Sequence, residues 1–147
     1  MSVGVTVGAA MFRRFLGYGL PLMALGLLLA FLPTNILPVC HVEEGAVPMR
    51  CHWTGRVLTG YGAALVALGA LMFLCRTASM RAGVAASALV VAVSAALVPT
   101  HFVGMCQSPM MPCNTGTYPG SLVLLALAAV VSLATLFQLR YVMKRDL

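Results

Sequence analysis

The chain has 147 residues, of which 61% are hydrophobic and only 8% charged, with a formal net charge of +6. An ordinary soluble domain carries about 25% charged residues, and nine basic plus three acidic side chains cannot cover a water-facing surface of this size. The composition therefore excludes a soluble domain, and because the basic residues gather at the ends of apolar runs it argues against a nucleic-acid surface; the solvent for most of the chain is lipid.

Arg13 and Arg14 precede the first apolar run, at about residues 15–32, which carries no charge. No small-x-small cleavage site follows it, so the run is expected to remain a helix rather than to be a removed signal. Pro33 and Pro38 then open a polar stretch at about 33–56. A second run at about 57–74 leads through Arg76 and Arg81 to a third at about 82–98, which Pro99 ends. A second polar stretch, about 99–118, precedes the fourth run at about 121–139, after which come Arg140, Lys144 and Arg145. Each run is about 17–20 residues long, which at ~1.5 Å per residue nearly crosses a ~30 Å hydrocarbon core. Backbone amides in lipid must bond internally, so the runs are read as helices. Residues 1–147 thus form one domain, an all-α membrane protein built as a four-transmembrane-helix bundle.

The basic residues orient it. Arg13, Arg14, Arg76, Arg81, Arg140, Lys144 and Arg145 fall on one side, against Arg50 and Arg56 on the other. The side rich in Lys and Arg is cytoplasmic, which places both termini inside and both polar stretches outside. Trp53 and Tyr118 lie at the outer interface and Tyr18 and Tyr141 at the inner one, as in an aromatic belt. Gly26 with Ala30, Gly83 with Ser87, Ala88 with Ala92, and Ala128 with Ser132 set small residues four apart, a spacing expected to bring helices of the bundle close together. No ionisable residue lies deep in a run, which argues against a pump or transporter core.

The outer loops hold the chemistry. Cys40 and Cys51 lie in the first and Cys106 and Cys113 in the second, with His41, His52, His101, Met49, Met105, Met110 and Met111; Cys75 is on the cytoplasmic side. The loops are too short for a core of their own, and cysteines facing an oxidising compartment suit disulfides. Four cysteines allow three connectivities. Pairing within each loop, Cys40–Cys51 and Cys106–Cys113, is favoured; a cross-loop pairing that staples the two hairpins together stays open. Cys75 is expected to act as a small buried hydrophobe. No phosphate-binding loop, carboxylate pair or nucleophile–base arrangement is present, so no catalytic residue is assigned and an enzyme is not the expected reading.

The run Met49-Arg50-Cys51-His52-Trp53-Thr54 resembles the hallmark of an uncharacterised family of small bacterial and archaeal membrane proteins, catalogued as a domain of unknown function. Gly104, Cys106, Met111, Cys113 and Asn114 resemble that family's second pattern, Gly-x-Cys … Met-x-Cys. The resemblance covers nearly the whole chain. It implies four helices, a membrane location in the plasma (inner) membrane of a bacterium, and an ABC transporter permease as a partner; it transfers no catalytic residue.

Three chemistries fit the cysteine loops. The favoured one is structural: disulfides brace an extracytoplasmic cap of an accessory or interaction subunit, with the lipid bilayer and a membrane protein as partners, Trp53 as an interfacial anchor or partner contact, and no cofactor. The second is thiol-disulfide exchange coupled to a quinone. The layout is similar to the quinone-coupled disulfide-forming membrane proteins, but Cys-x-x-Cys is absent and the pairs are spaced by ten and by six residues. The third is soft-metal binding, copper above all, by His41, His52, His101, Met105, Met110, Met111 and the cysteines.

Overall fold

The structure, a computed structural model, describes residues 3–36, 50–104, 110–111 and 113–145, with α1 side chains from Gly17 onward. Helix α1 runs Val3–Phe31 and continues into a π-helical turn, Leu32–Ile36. Helix α2 spans Arg50–Leu74 and α3 spans Ala78–Leu97, followed by a second π turn at Val98–Phe102. A third π turn, Cys113–Thr117, leads directly into α4, Tyr118–Arg145. All four helices are long and apolar enough to cross a membrane, the architecture of a multi-pass membrane protein.

The helices outrun the apolar segments that announce them. Helix α2 starts at Arg50 rather than near residue 57, so the Cys-His-Trp-Thr run forms its first turn instead of closing a loop. Helix α1 begins at Val3 and α4 ends at Arg145, both well beyond the apolar limits. Hydropathy marks the depth of the lipid, whereas a helix continues for as long as its backbone bonds are satisfied. Pro21 sits inside α1, where neighbouring helices can compensate for its missing donor.

Each helix packs against two others, in the order α1, α2, α3, α4 and back to α1, and the closest pairs are α1 with α2 and α3 with α4. The buried positions step alternately by three and four residues. In α1 they are Gly19, Leu22, Gly26 and Leu29; in α2, Cys51, Gly55, Leu58, Gly62, Leu65, Gly69 and Met72, with Thr54 buried beside Gly55. Helix α3 buries Arg81, Ala85, Ala88, Ala92 and Ala95, and α4 buries Ser121, Leu125, Ala128, Ser132 and Thr135. A repeat of 3.5 residues is the pattern of left-handed knobs-into-holes packing. The outward faces stay apolar: Leu20, Leu27, Val90, Val93, Val123, Val130 and Phe137 are all exposed. A surface of this kind needs lipid as its solvent.

Glycines decide the α1–α2 seam. A Cβ on Gly26 would lie 2.8 Å from the Val66 nitrogen and 2.9 Å from the Gly62 oxygen, and one on Gly62 would lie 2.7 Å from the Gly26 oxygen. Gly19 and Gly69 face each other one heptad on, where Phe73 and Met23 close over them. The expected small pairs Ala88–Ala92 and Ala128–Ser132 are buried between helices, and Gly26 is buried beside a half-buried Ala30. Gly83 and Ser87 are a correction. Both are exposed, nothing lies within 4 Å of a Cβ on Gly83, and the Ser87 hydroxyl donates to its own helix at the Gly83 carbonyl, 3.0 Å. Spacing sets a common face but not its direction, because α3 turns its row of alanines inward instead.

The link between α2 and α3 is only Cys75–Thr77. Thr77 caps α3, its hydroxyl accepting from the Met80 amide at 3.4 Å. Arg81, expected in the link, lies in the first turn of α3, is 9% exposed, and donates from Nε to the Cys75 carbonyl at 2.7 Å. It thereby satisfies a carbonyl at the α2 C-terminus, where a cation is favoured. Cys75 itself is half-buried. Arg81→Lys keeps the charge but loses the planar donor fork, and should lower stability by about 1 kcal/mol; thermal unfolding in mild detergent measures it, and an unchanged midpoint would show that the bond contributes nothing.

Candidate functional site at the cysteine end of the bundle

The first turn of α2 meets the chain leaving α3, and the third π turn leads into α4. The buried positions at the starts of α2 and α4 are rich in sulfur and hydroxyl groups. Cys51 and Cys113 are both fully buried, and Thr54, Thr117 and Ser121 are at most 1% exposed. The Ser121 hydroxyl donates to the Tyr118 carbonyl at 2.9 Å, a local bond that satisfies the group without a partner helix.

Thr54 does more. Its hydroxyl donates across the bundle to the Gly104 carbonyl at 2.9 Å, with the Arg50 carbonyl of its own helix at 3.3 Å. Gly104 lies at the end of the second π turn, where the Val98 carbonyl accepts from the Val103 and Gly104 amides at 2.9 and 3.3 Å. Its φ is +78°, the left-handed region that glycine enters at little steric cost. The Gly104 carbonyl points at α2, where it accepts from Thr54. The outcome is a clasp between α2 and the stretch after α3, made by the last residue of Cys-His-Trp-Thr and the first of Gly-x-Cys. Sequence reasoning quoted both residues as motif members but gave neither a role. The available signal was a lone glycine shortly after Pro99 and a threonine on the same face as Cys51.

The remaining candidates spread around this end. His52 is half-buried and meets the Trp53 ring edge-on, with centroids 6.1 Å apart, while Trp53 is 50% exposed. His101 is exposed, Met110 is 90% exposed and Met111 is half-buried. Cys40, His41, Met49, Met105 and Cys106 lie outside the described residues. Among the described residues no three His, Cys, Asp or Glu side chains come together as a metal site would require.

A family model described as "Domain of unknown function (DUF4418)" matches residues 22–138. The chain belongs to this DUF4418 family. The match runs from the buried Leu22 of α1 to Gln138 of α4, so it takes in α2, α3, the cysteine end and parts of α1 and α4. No curated protein and no solved structure matches the chain.

Proposed function

We propose that this DUF4418 protein is an accessory or interaction subunit of a membrane complex, with a disulfide-braced cap facing outward from an inner membrane and both termini in the cytoplasm. The partner is another integral membrane protein, of which an ABC transporter permease is the expected kind. The observation that carries this reading is the complete burial of Cys51 and Cys113. Thiols that exchange with substrates or sense oxidants are accessible and sit in electropositive surroundings, whereas fully buried cysteines are structural and inert. The Thr54–Gly104 clasp supports the same reading, since it ties the second outer stretch to α2 without any redox chemistry. Half-exposed Trp53 beside His52 offers the aromatic contact typical of partner surfaces.

Disulfide mapping tests the proposal. The protein is purified anaerobically in mild detergent with thiols blocked at lysis, then mapped by mass spectrometry. The expected result is complete oxidation to Cys40–Cys51 and Cys106–Cys113. Partly free thiols would favour the exchange or metal readings, and quinone and copper titrations would then separate those two.

A further inference from the structure

The chain carries one spacing twice. Pro33-Thr34 precedes Cys40 as Pro99-Thr100 precedes Cys106, with Pro and Cys seven positions apart in both (40 − 33 and 106 − 99). Met49-Arg50-Cys51 is matched by Met111-Pro112-Cys113. Both Pro-Thr pairs occupy the second and third positions of a π turn, Leu32–Ile36 and Val98–Phe102, and the first two residues of each turn are buried. The Thr34 hydroxyl donates to the Phe31 carbonyl at 3.3 Å and the Thr100 hydroxyl to the Leu97 carbonyl at 3.2 Å, the same step back along the chain.

Burial repeats as well. Gly19, Leu22, Gly26, Leu29, Leu32 and Pro33 are buried, and adding 66 to each number gives Ala85, Ala88, Ala92, Ala95, Val98 and Pro99, all buried. From α2 to α4 the shift is 62 at Cys51, giving Cys113, and 63 at Thr54, giving Thr117, all four buried. It stays 63 from there on, so that Leu58, Gly62, Leu65, Gly69 and Met72 map to Ser121, Leu125, Ala128, Ser132 and Thr135, again all buried, while buried Gly55 has half-buried Tyr118 as its counterpart. The extra residue enters at the third π turn, Cys113–Thr117, and a single inserted residue in a helix is accommodated as a π turn. The closest helix pairs are those within each unit.

We propose that the chain is a tandem duplication of one helix–cysteine loop–helix hairpin, its halves related by a pseudo-two-fold axis along the bundle, so that the cap holds two equivalent cysteine sites instead of one four-cysteine centre. The symmetry lies in positions and not in sizes. Leu22, Leu29, Leu58 and Leu65 of the first hairpin pack in one core with Ala88, Ala95 and Ala128 of the second. Large side chains from one half fill the space that small ones in the other leave, so the halves fit each other better than either fits a copy of itself. Two equivalent sites pair each buried cysteine with the loop cysteine of its own hairpin. An electron relay needs two pairs of unequal role, and a four-thiolate metal centre needs all four sulfurs together.

The pairing rests on the disulfide cap proposed above, whereas the duplication does not, and the test separates them. A protease site is placed in the Cys75–Thr77 link of the full-length chain, and the folded protein, thiols blocked, is cut in mild detergent. Two fragments that separate on a non-reducing denaturing gel, each holding one disulfide, are the expected result. Fragments that stay covalently joined, or one oxidised hairpin beside one fully alkylated hairpin, overturn the equivalence. If all four thiols alkylate without reductant, the cap fails, and spin labels decide the duplication. The axis relates the exposed pair Leu20 and Val130 to the exposed pair Ala86 and Ala67. Equal distances for the two pairs uphold the duplication, and a difference greater than one helical turn, ~5.4 Å, overturns it.

Discussion

Gly62→Leu should prise α1 from α2 and cost about 3 kcal/mol or more. A Cβ at this position would lie 2.6 Å from the Ala30 nitrogen, 2.7 Å from the Gly26 oxygen and 2.9 Å from the Ala30 Cα. All three are backbone atoms, so no rotamer change can relieve the clash and the helices must separate. Overpacking of a filled core costs about 1–3 kcal/mol even where side chains can adjust. Separation also forfeits the dispersion contacts along the closest seam of the bundle, and in lipid no hydrophobic driving force replaces them. Gly60→Leu and Gly83→Leu are the controls, because both glycines are exposed with nothing within 4 Å of an added Cβ. Surface changes of that kind are expected to stay within about 0.5 kcal/mol. Heating in mild detergent followed by size exclusion reads the difference. A Gly62→Leu protein as stable as Gly60→Leu would show that the seam is not set by glycine.

Thr54→Val should release the stretch after α3 while leaving the bundle assembled. The substitution keeps the side-chain shape and removes only the hydroxyl that donates to Gly104 at 2.9 Å. Thr54 is 1% exposed and Gly104 half-buried, so water replaces the lost donor only in part, and the cost is about 1 kcal/mol. The loss should appear locally, as faster hydrogen exchange at the Val103 and Gly104 amides, both bonded to the Val98 carbonyl. Thr54→Ser retains the donor and should exchange at close to the parental rate. Equal protection in the valine and parental proteins would mean that the clasp does not hold this stretch.

Much of this architecture was legible in the sequence. The four spans, their order and the family resemblance followed from apolar length, proline placement and the Cys-His-Trp-Thr run, all of them local properties of the chain. Helix ends were not legible: Arg50, His52 and Arg56 are polar, yet they extend α2 because their backbone groups bond along the helix whatever the side chains do. Arg81 was placed in a link for the same reason, although its guanidinium folds back to close the end of α2. The glycine heptad Gly55, Gly62 and Gly69 stands in the sequence, but its spacing of seven lies outside the pattern of small residues four apart.

By itself the sequence determined the four apolar spans and their order along the chain. Tertiary structure decided which face of each span is inward, that Cys51 and Cys113 are buried, and that Thr54 grips Gly104. The physical reason lies in the solvent. In water, polarity separates the buried face of a helix from the exposed one. In lipid both faces are apolar, and the inward face is selected by side-chain size and fit, which depend on the opposing helix and are settled only when the helices meet.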